Sequence, residues 1–369
     1  MTAERRPDAY REAGVDYGTL DAAKRRALAA ALATSAYPRR RGAAVDDASR
    51  GEPATVLALG ALRLGFVLEC LGTKSMIARA YEEATGEDRF AAIGYDTVAA
   101  AVNDCVCVGA LPVVVNAYFA TGAAGWYDGS RHASLIEGFA RACEDAGAAW
   151  GGGESPTLSG LVAEPEIDLA ASVVGIVPDG VEPLVGRAVG PGDEIVLVAS
   201  SGLHANGASL ARRVAGDLPG GLSHRLDSGE TFGEALLRPS ALYVGLVERL
   251  FEESVGLHYM SHVTGHGLRK LMRADRDLTY RVHRLPEVPE VLAFLAARAG
   301  LAPREAYGTL NMGVGFALYV AAGAGEAAAA AARELGHGAV VAGVVEEGPR
   351  RVVLEPIGAE YATGELELR

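Results

Sequence analysis

The sequence of 369 residues has little positive charge, few cysteines and no long apolar run. Its 34 lysines and arginines stand against 47 acidic residues, and the formal charge of −13 argues against general binding to nucleic acids or acidic membranes. The cysteines are Cys70, Cys105, Cys107 and Cys143. They lack the spacing of a metal site, so we expect small buried side chains in a reducing compartment. No signal peptide or span of about 20 apolar residues is evident, which predicts a soluble cytoplasmic protein.

Two signatures of nucleophilic catalysis are also missing, because the chain has no Gly-x-Ser-x-Gly elbow and no indication of a Cys–His nucleophile. What the chain does have is 50% hydrophobic residues and 47 glycines, which is typical of an α/β protein with many tight connections. Its length exceeds that of one ordinary core. The Gly/Pro composition of residues 185–193 indicates a junction, so we predict an N-terminal domain over 1–185 and a C-terminal domain over 186–369.

Hydrophobic periodicity and breaker residues divide the chain into alternating elements. Residues 1–35 are predicted to be helical, and residues 36–54 are predicted to form a mobile loop. Other helices are predicted at 75–86, 97–108, 130–146, 207–215 and 321–334, with further helices before residue 278. Strands are predicted at 54–71, with interruptions at Gly60 and Gly65, and at 111–119, 168–177, 194–199, 278–283, 312–321 and 338–344.

One predicted helix carries acidic and amide groups on a segment otherwise built for burial. Residues 97–108 are small or apolar except for Asn103 and Asp104. Asp96 lies seven residues before Asn103 and eight before Asp104, and both spacings return to nearly the same helix face. Such oxygen ligands could hold a hard cation. The alternative is ordinary capping, with Asp96 as N-cap and the Asn103–Asp104 pair solvated near the other end.

Gly72-Thr73-Lys74 lies between a predicted strand and a predicted helix. This arrangement offers backbone N–H groups, a hydroxyl and an ammonium near a helix N-terminus, as phosphate binding requires. The upstream glycines of a Walker A loop are missing, and an N-cap threonine with an exposed lysine is the alternative. Glu69, just upstream, adds a carboxylate that could reach a metal on the phosphate.

Glycine-rich turns recur later in the chain. Residues 150–154 are predicted to form a glycine loop, whose Gly151, Gly152 and Gly153 would let the backbone approach a ligand and present Glu154. Ser200 to Leu210 follows a strand and places His204 at its carboxyl end, where it could act as a general acid or base. The alternative for His204 is a helix cap. Further polar turns are found at 262–267 and 309–315.

Taken in order, these segments resemble the aminoimidazole ribonucleotide synthetase (phosphoribosylformylglycinamidine cyclo-ligase) family of purine biosynthesis, which has a PurM-like fold. The resemblance spans roughly residues 10 to 350. It rests on Tyr10-Arg-Glu-Ala-Gly-Val-Asp16, Gly72-Thr73-Lys74, Asp96 with Asn103-Asp104, Tyr118-Phe119-Ala120-Thr121-Gly122, Gly152-Gly153-Glu154, Ser200-Ser201-Gly202 with His204 and Asn206-Gly207, Leu237 with Pro239, His262 with Thr264-Gly265, and Asn311 with Gly313-Val314-Gly315.

The resemblance implies a two-domain α/β homodimer whose N-terminal domains form a shared β-barrel. It also implies that ATP and Mg²⁺ are used to phosphorylate an amide oxygen of a small molecule, a ribonucleotide amidine or related amide, before an internal nitrogen closes an imidazole ring. The implied metal ligands are Glu69, Asp96, Asp104 and Glu154. The implied catalytic residues are His204, Asn206 and Lys74. The implied cofactor-binding residues are Gly72, Thr73, Lys74, Asn103, Gly152, Gly153, Ser201, Gly202, Thr264 and Gly265.

The chain departs from the family pattern in the segments that would cover phosphate and substrate. Glu69 and Cys70 stand where the family has aspartate and glycine, and His266 stands where it has a glycine. The family's Gly-Phe-Gly-Ala loop has no clean counterpart, and residues 156–160 replace the expected segment after Glu154. Three hypotheses follow: a cyclo-ligase of this family, a specialised relative that activates a different amide or carboxylate, and a non-catalytic nucleotide-binding relative.

Overall fold

The computed structural model describes residues 17–366, so the resemblance at residues 10–16 lies outside the described residues. The first part of the chain forms a six-stranded sheet in the order β1-β2-β3-β6-β4-β5. All neighbouring strands are antiparallel except β4 and β5. Its strands are β1 Ala43–Val45, β2 Thr55–Leu59, β3 Leu62–Cys70, β4 Leu111–Thr121, β5 Ala149–Glu154 and β6 Ile167–Ile176.

Four helices accompany this sheet: α1 Tyr17–Ala33, α2 Lys74–Thr85, α3 Phe90–Val106 and α4 Ser130–Asp145. Helix α3 packs on β3 and β6, and α4 packs on α3. The two helices approach closely because both contribute glycines: a Cβ on Gly138 would lie 1.8 Å from Ala91 O, and one on Gly94 would lie 2.1 Å from Leu135 O. The apolar length of α3 is therefore buried between the sheet and α4.

The second part forms a seven-stranded sheet in the order β13-β12-β9-β11-β7-β10-β8, with only β12 and β9 parallel. Its strands are β7 Glu194–Ala199, β8 Leu257–His262, β9 Leu278–Val282, β10 Val314–Val320, β11 Ala339–Glu347, β12 Arg351–Leu354 and β13 Ala359–Ala362. Its helices are α5 Ala208–Asp217, α6 Phe232–Leu236, α7 Val244–Glu252, α8 Glu290–Arg298, α9 Pro303–Tyr307 and α10 Gly325–Glu334. No helix within residues 17–366 is long and apolar enough to cross a membrane.

The predicted mixed α/β fold with two sheets is confirmed, although several local predictions are wrong. Residues 36–54 are not a mobile loop, because β1 pairs with β2 and Ser49 Oγ accepts a hydrogen bond from Val56 N. Gly65 does not interrupt its strand; it lies inside β3, where a Cβ would meet Ala110 at 2.5 Å. The glycine loop at 150–154 is the edge strand β5. Strands β8, β12 and β13 were not predicted.

Helix α3 begins at Phe90 rather than near residue 97, because Asp88 Oδ1 accepts a hydrogen bond from Phe90 N. Asp96 is therefore a buried residue in the second turn of the helix, and its interpretation as an N-cap is wrong. Asp104 is buried as well, so it is not a solvated group near a helix end.

Candidate active site

A cavity of about 530 Å³ lies where the two halves of the described chain meet. We call it the central cavity. Predicted site residues that line it are Glu69, Gly72, Thr73, Asn103, Asp104, His204, Asn206, Thr264 and Gly265. Other predicted site residues do not line it: Lys74, Asp96, Gly152, Gly153, Glu154, Ser201 and Gly202. The structure therefore brings together motifs that are nearly 200 residues apart in the sequence, but not all of them.

Two helices point their N-termini at the central cavity. Helix α2 starts after Thr73 and α5 starts after Gly207, and neither helix has a side-chain N-cap. The Oγ atoms of Thr73 and Ser209 lie 3.1 Å apart, which ties the two helix starts together. Uncapped N-termini leave backbone N–H groups without intrahelical partners, and these groups and the helix dipoles favour an anion such as phosphate.

Glu69 and Asp104 place two carboxylates on the wall of the central cavity. Burial alone would raise the pKa of Asp104, but the hydrogen bond from His262 Nδ1 to Asp104 Oδ1 (2.7 Å) and the nearby cations lower it. Burial, and then the charge of Asp104, raise the pKa of Glu69 to about 8. At neutral pH the Glu69–Asp104 pair therefore carries a single negative charge, unless a bound cation stabilises the second one.

This pair of carboxylates fits Mg²⁺ better than a metal held by protein groups alone. No group of three His, Cys, Asp or Glu side chains within residues 17–366 is placed to hold a metal ion. Mg²⁺ commonly binds through one or two carboxylates and completes its shell with water and substrate phosphates. Glu69 and Asp104, beside two uncapped helix N-termini, match that donor set.

Lys74 and Asp96 are paired with each other instead of lining the cavity. Lys74 Nζ donates to Asp96 Oδ2, and both side chains are fully buried. Asp96 Oδ1 also accepts a hydrogen bond of 2.6 Å from Ser240 N, which belongs to the second half of the chain. Asp96 therefore links the two halves through Ser240, and Lys74 provides the positive charge that pairs with it.

The amide of Asn103 is also occupied by the second half of the chain. Its Nδ2 donates to Ala241 O at 2.9 Å, and its Oδ1 accepts from Tyr243 N at 2.9 Å. Although Asn103 lines the cavity, its hydrogen-bonding groups hold the 241–243 backbone in place. We interpret it as a positioning residue for this wall.

His204 has an unusual backbone and a defined tautomer. Its φ of +59° lies in the left-handed region, which a non-glycine residue rarely adopts and which is typical of functional sites. Its Nε2 accepts hydrogen bonds from Ser201 N (3.0 Å) and Ala241 N (3.3 Å), so the ring proton is on Nδ1. Nδ1 is buried and has no hydrogen-bond partner within the described chain. Burial lowers the pKa of His204, so the ring is neutral and can donate one hydrogen bond.

Ser201 and Gly202 shape the turn that carries His204. Ser201 Oγ donates to Pro239 O at 2.6 Å. The side chain of Asn311 donates to Gly202 O at 2.9 Å and to Leu203 O at 3.2 Å, and its Oδ1 accepts from Ser200 Oγ at 3.0 Å. The polar residues before β10 therefore build the loop behind the cavity.

Gly152, Gly153 and Glu154 lie on the edge strand β5 and are exposed. A Cβ on Gly153 would lie 2.0 Å from Ala117 O of β4. Close strand pairing therefore explains this glycine without a ligand. Glu154 pairs with Tyr118 of β4. Strand β5 lies along one edge of β4, whereas β6 and then β3, which carries Glu69, lie on the other side of β4. Within the described single chain, Glu154 does not join Glu69 and Asp104.

Several residues that line the central cavity had no role predicted from the sequence. They are Glu52, Cys70, His262, His266, Lys270 and Arg273. Cys70 is exposed, against the prediction that all four cysteines are buried, because it ends β3 on its outward-facing row; Cys105, Cys107 and Cys143 are buried. His262 ends β8, one of the strands that were not predicted, and Lys270 lies in the short 3₁₀ helix Gly267–Met272 that follows.

Two family models match the chain: "AIR synthase related protein, N-terminal domain" over residues 51–177 and "AIR synthase related protein, C-terminal domain" over residues 190–355. The phosphoribosylformylglycinamidine cyclo-ligase of Methanothermobacter thermautotrophicus is 34% identical over 280 residues, which cover 73% of this chain and 77% of that relative. The chain belongs to this cyclo-ligase family. A family member from Anaeromyxobacter sp. (strain Fw109-5) is 39% identical over 292 residues, covering 78% of this chain and 81% of that one.

Solved structures with the same fold include proteins with other names. The hydrogenase maturation protein HypE in complex with ATP superposes with a TM-score of 0.59 at 20% identity, covering 81% of this chain and 83% of that chain. AaThiL complexed with AMPPCP and TMP gives a TM-score of 0.56 at 18% identity, covering 85% of this chain and 90% of that chain. These likenesses show the fold alone, and the membership of the chain in an enzyme family rests on the family models and the cyclo-ligase relatives.

Proposed function

We propose that the chain is an ATP-dependent cyclo-ligase that converts formylglycinamidine ribonucleotide to aminoimidazole ribonucleotide in the cytoplasm. The observation that carries this proposal is the convergence of two uncapped helix N-termini, at Thr73 and Gly207, with the Glu69–Asp104 carboxylates on one cavity. Such a site can bind the phosphates of a nucleotide together with a divalent cation. The relatives named as cyclo-ligases supply the reaction.

The chemistry requires that a poor leaving group becomes a good one. The amide oxygen of the substrate attacks the γ-phosphorus of ATP, and ADP leaves. An internal nitrogen then attacks the imidate carbon, the C–O bond to phosphate breaks, and loss of a proton completes the aromatic ring. Mg²⁺, held by Glu69 and Asp104, would neutralise charge on the transferring phosphoryl group.

His204 is suited to a neutral role in this reaction. Its Nε2 is occupied by two backbone N–H groups, so the ring cannot take a proton there without losing these bonds. The unpartnered Nδ1–H can donate to an oxygen of the amide or of the phosphoryl group. We therefore propose hydrogen-bond donation, rather than general base catalysis, as the function of His204. Asn206 lines the same cavity and is proposed to position the substrate.

The proposal is tested by measuring ADP release from purified protein with Mg-ATP, with and without formylglycinamidine ribonucleotide, while assaying for the imidazole product. ADP that depends on the ribonucleotide and matches the imidazole formed supports the cyclo-ligase. Nucleotide binding without that product supports the second hypothesis, a relative that activates another amide. That hypothesis is favoured by Glu69 and Cys70 at the phosphate turn and His266 on the cavity wall, all at positions where the resemblance implies other residues.

We further propose that the N-terminal sheet pairs with a second copy of the chain. The face of this sheet opposite α3 carries exposed apolar side chains, with Leu68 70% exposed and Phe66 and Val113 each 40% exposed. In β3, the exposed Phe66 and Leu68 alternate with the buried Gly65 and Val67, so both faces of this strand are apolar, as in a strand that is covered on both sides. A homodimer through this face is what the family resemblance implies.

Replacing Phe66 and Leu68 together by arginine is expected to convert a dimer into a monomer, because four buried charges would face each other in the pairing. Sedimentation velocity measures the change. The control is Leu335→Arg, which alters an apolar residue of the second half that is 47% exposed. If wild-type protein sediments as a monomer at micromolar concentration, the pairing does not form.

A further inference from the structure

Lys270 and Arg273 form a cationic wall of the central cavity that the proposed reaction has not yet used. Both side chains line the cavity, and both residues are only 8% exposed. Lys270 lies in the 3₁₀ helix Gly267–Met272, and Arg273 follows it directly. Charged side chains are rarely buried to this extent unless a partner compensates for the lost hydration.

Neither cation has full compensation within the described chain. Lys270 Nζ donates one hydrogen bond, of 2.7 Å, to Thr264 Oγ1, and the nearby Asp104 and Glu69 carboxylates offset its charge only in part, because burial and Arg273 still lower the pKa of Lys270. Arg273 Nε donates to Gly51 O at 3.0 Å, and the nearest carboxylate oxygen, Glu52 Oε2, is 3.8 Å from that nitrogen. Glu52 Oε2 accepts a shorter bond, of 2.6 Å, from Tyr259 OH. The remaining donors of Lys270 and Arg273 are available to a ligand.

The type of ligand follows from the charges around the cavity. Two cations side by side on one wall favour an anion with several oxygen acceptors. Guanidinium and ammonium groups together are a common recognition unit for phosphate, because they supply both directional donors and charge. The cavity already offers helix N-termini and carboxylates for a metal–nucleotide complex, so this wall provides a place for a second anion.

We propose that Lys270 and Arg273 bind the phosphate monoester of the ribonucleotide substrate. This assignment rests on the proposed function, since that reaction uses a second phosphorylated substrate beside ATP. The two substrates would then lie side by side in one cavity, with ATP at the helix N-termini and the carboxylates, and the ribonucleotide phosphate at the neighbouring Lys270 and Arg273. Thr264 would orient the ammonium through its hydroxyl.

The test is a calorimetric titration of the full chain with ribose 5-phosphate and, separately, with the magnesium complex of AMP-PNP. Lys270→Met is expected to weaken ribose 5-phosphate binding about tenfold or more, as removal of one charge-assisted contact does. Binding of AMP-PNP is expected to change less than about twofold. Arg141→Gln, which removes one positive charge from a side chain that is 75% exposed on α4, is the matched control and should alter neither affinity.

If Lys270→Met does not fold, Arg273→Gln tests the same contact, and it is expected to weaken ribose 5-phosphate binding as well. Lys270→Arg should retain most of the affinity for ribose 5-phosphate because it keeps the positive charge. Unchanged ribose 5-phosphate affinity in folded Lys270→Met or Arg273→Gln would overturn the proposal, as would a loss confined to AMP-PNP, which would assign the wall to the nucleotide. Absence of ribose 5-phosphate binding to wild-type protein at millimolar concentration would overturn it too. Binding that depends on Lys270 without any imidazole product would instead refute the cyclo-ligase and retain the anion site.

Discussion

Asp104→Asn is expected to abolish ATP turnover, with kcat reduced by about a thousandfold or more. The substitution removes a negative charge from a buried position on the cavity wall, beside Glu69, where we propose that Mg²⁺ is held. The asparagine carbonyl can still accept the hydrogen bond from His262 Nδ1 that Asp104 Oδ1 accepts at 2.7 Å. Folding should therefore survive, with a loss of about 1–2 kcal/mol in the free energy of unfolding.

Steady-state ADP formation and urea unfolding on the same preparation separate these two effects. Asp145→Asn is the matched control, because it makes the same chemical change at a carboxylate that is 43% exposed and accepts a hydrogen bond from Tyr95 OH. It should leave turnover unchanged. If Asp104→Asn unfolds the protein while activity per folded molecule is retained, Asp104 serves the fold and not the metal.

Lys74→Met is expected to lower the free energy of unfolding by about 3–5 kcal/mol, the usual cost of leaving one charge of a buried ion pair without its partner. Asp96 would keep only the hydrogen bond from Ser240 N in a site with no solvent exposure. Because that bond connects α3 to the second half of the chain, the loss should extend across both halves. Urea unfolding measures it.

The double variant Lys74→Met with Asp96→Asn should recover part of that loss, since the neutral amide can still accept from Ser240 N. Arg333→Gln is the control for an exposed pair: its partner Glu326 is 74% exposed, and the change should cost under about 1 kcal/mol. A different set of results would favour the interpretation of Gly72-Thr73-Lys74 as a phosphate-binding turn. Nearly unchanged stability together with a large loss of nucleotide affinity would show that Lys74 contacts phosphate.

Much of the fold could be predicted from the sequence, because the hydrophobic periodicity of a helix or strand is visible within the few residues that form it. Strand β7 has the predicted bounds, and α4 differs from its prediction by one residue at its C-terminal end. The start of α3 was misplaced although a signal existed, since Asp88, just before the N-cap residue Arg89, accepts a hydrogen bond from Phe90 N. Strand β8 was missed because its His258 and Ser261 break the apolar pattern; its pairing with β10 is a tertiary effect.

The site could be predicted only in part, because contacts between the two halves are not visible in local patterns. Motif order indicated that Asp104 and His204 share a site, and both line the central cavity. The pairing of Lys74 with Asp96, however, depends on how α2 and α3 pack, and the side-chain amide of Asn103 bonds to residues about 140 positions later. Lys270 lies in a short 3₁₀ helix without periodicity and Arg273 follows it directly, so their burial had no sequence signal.

The measurement that tests the central claim most directly follows oxygen during a single turnover. Formylglycinamidine ribonucleotide labelled with ¹⁸O in its formyl oxygen is mixed with Mg-ATP and excess protein, and the released phosphate is analysed by mass spectrometry. If the enzyme activates this oxygen by phosphorylation, one labelled oxygen appears in phosphate for each imidazole formed. ADP formation with unlabelled phosphate, or with no imidazole, would contradict the account.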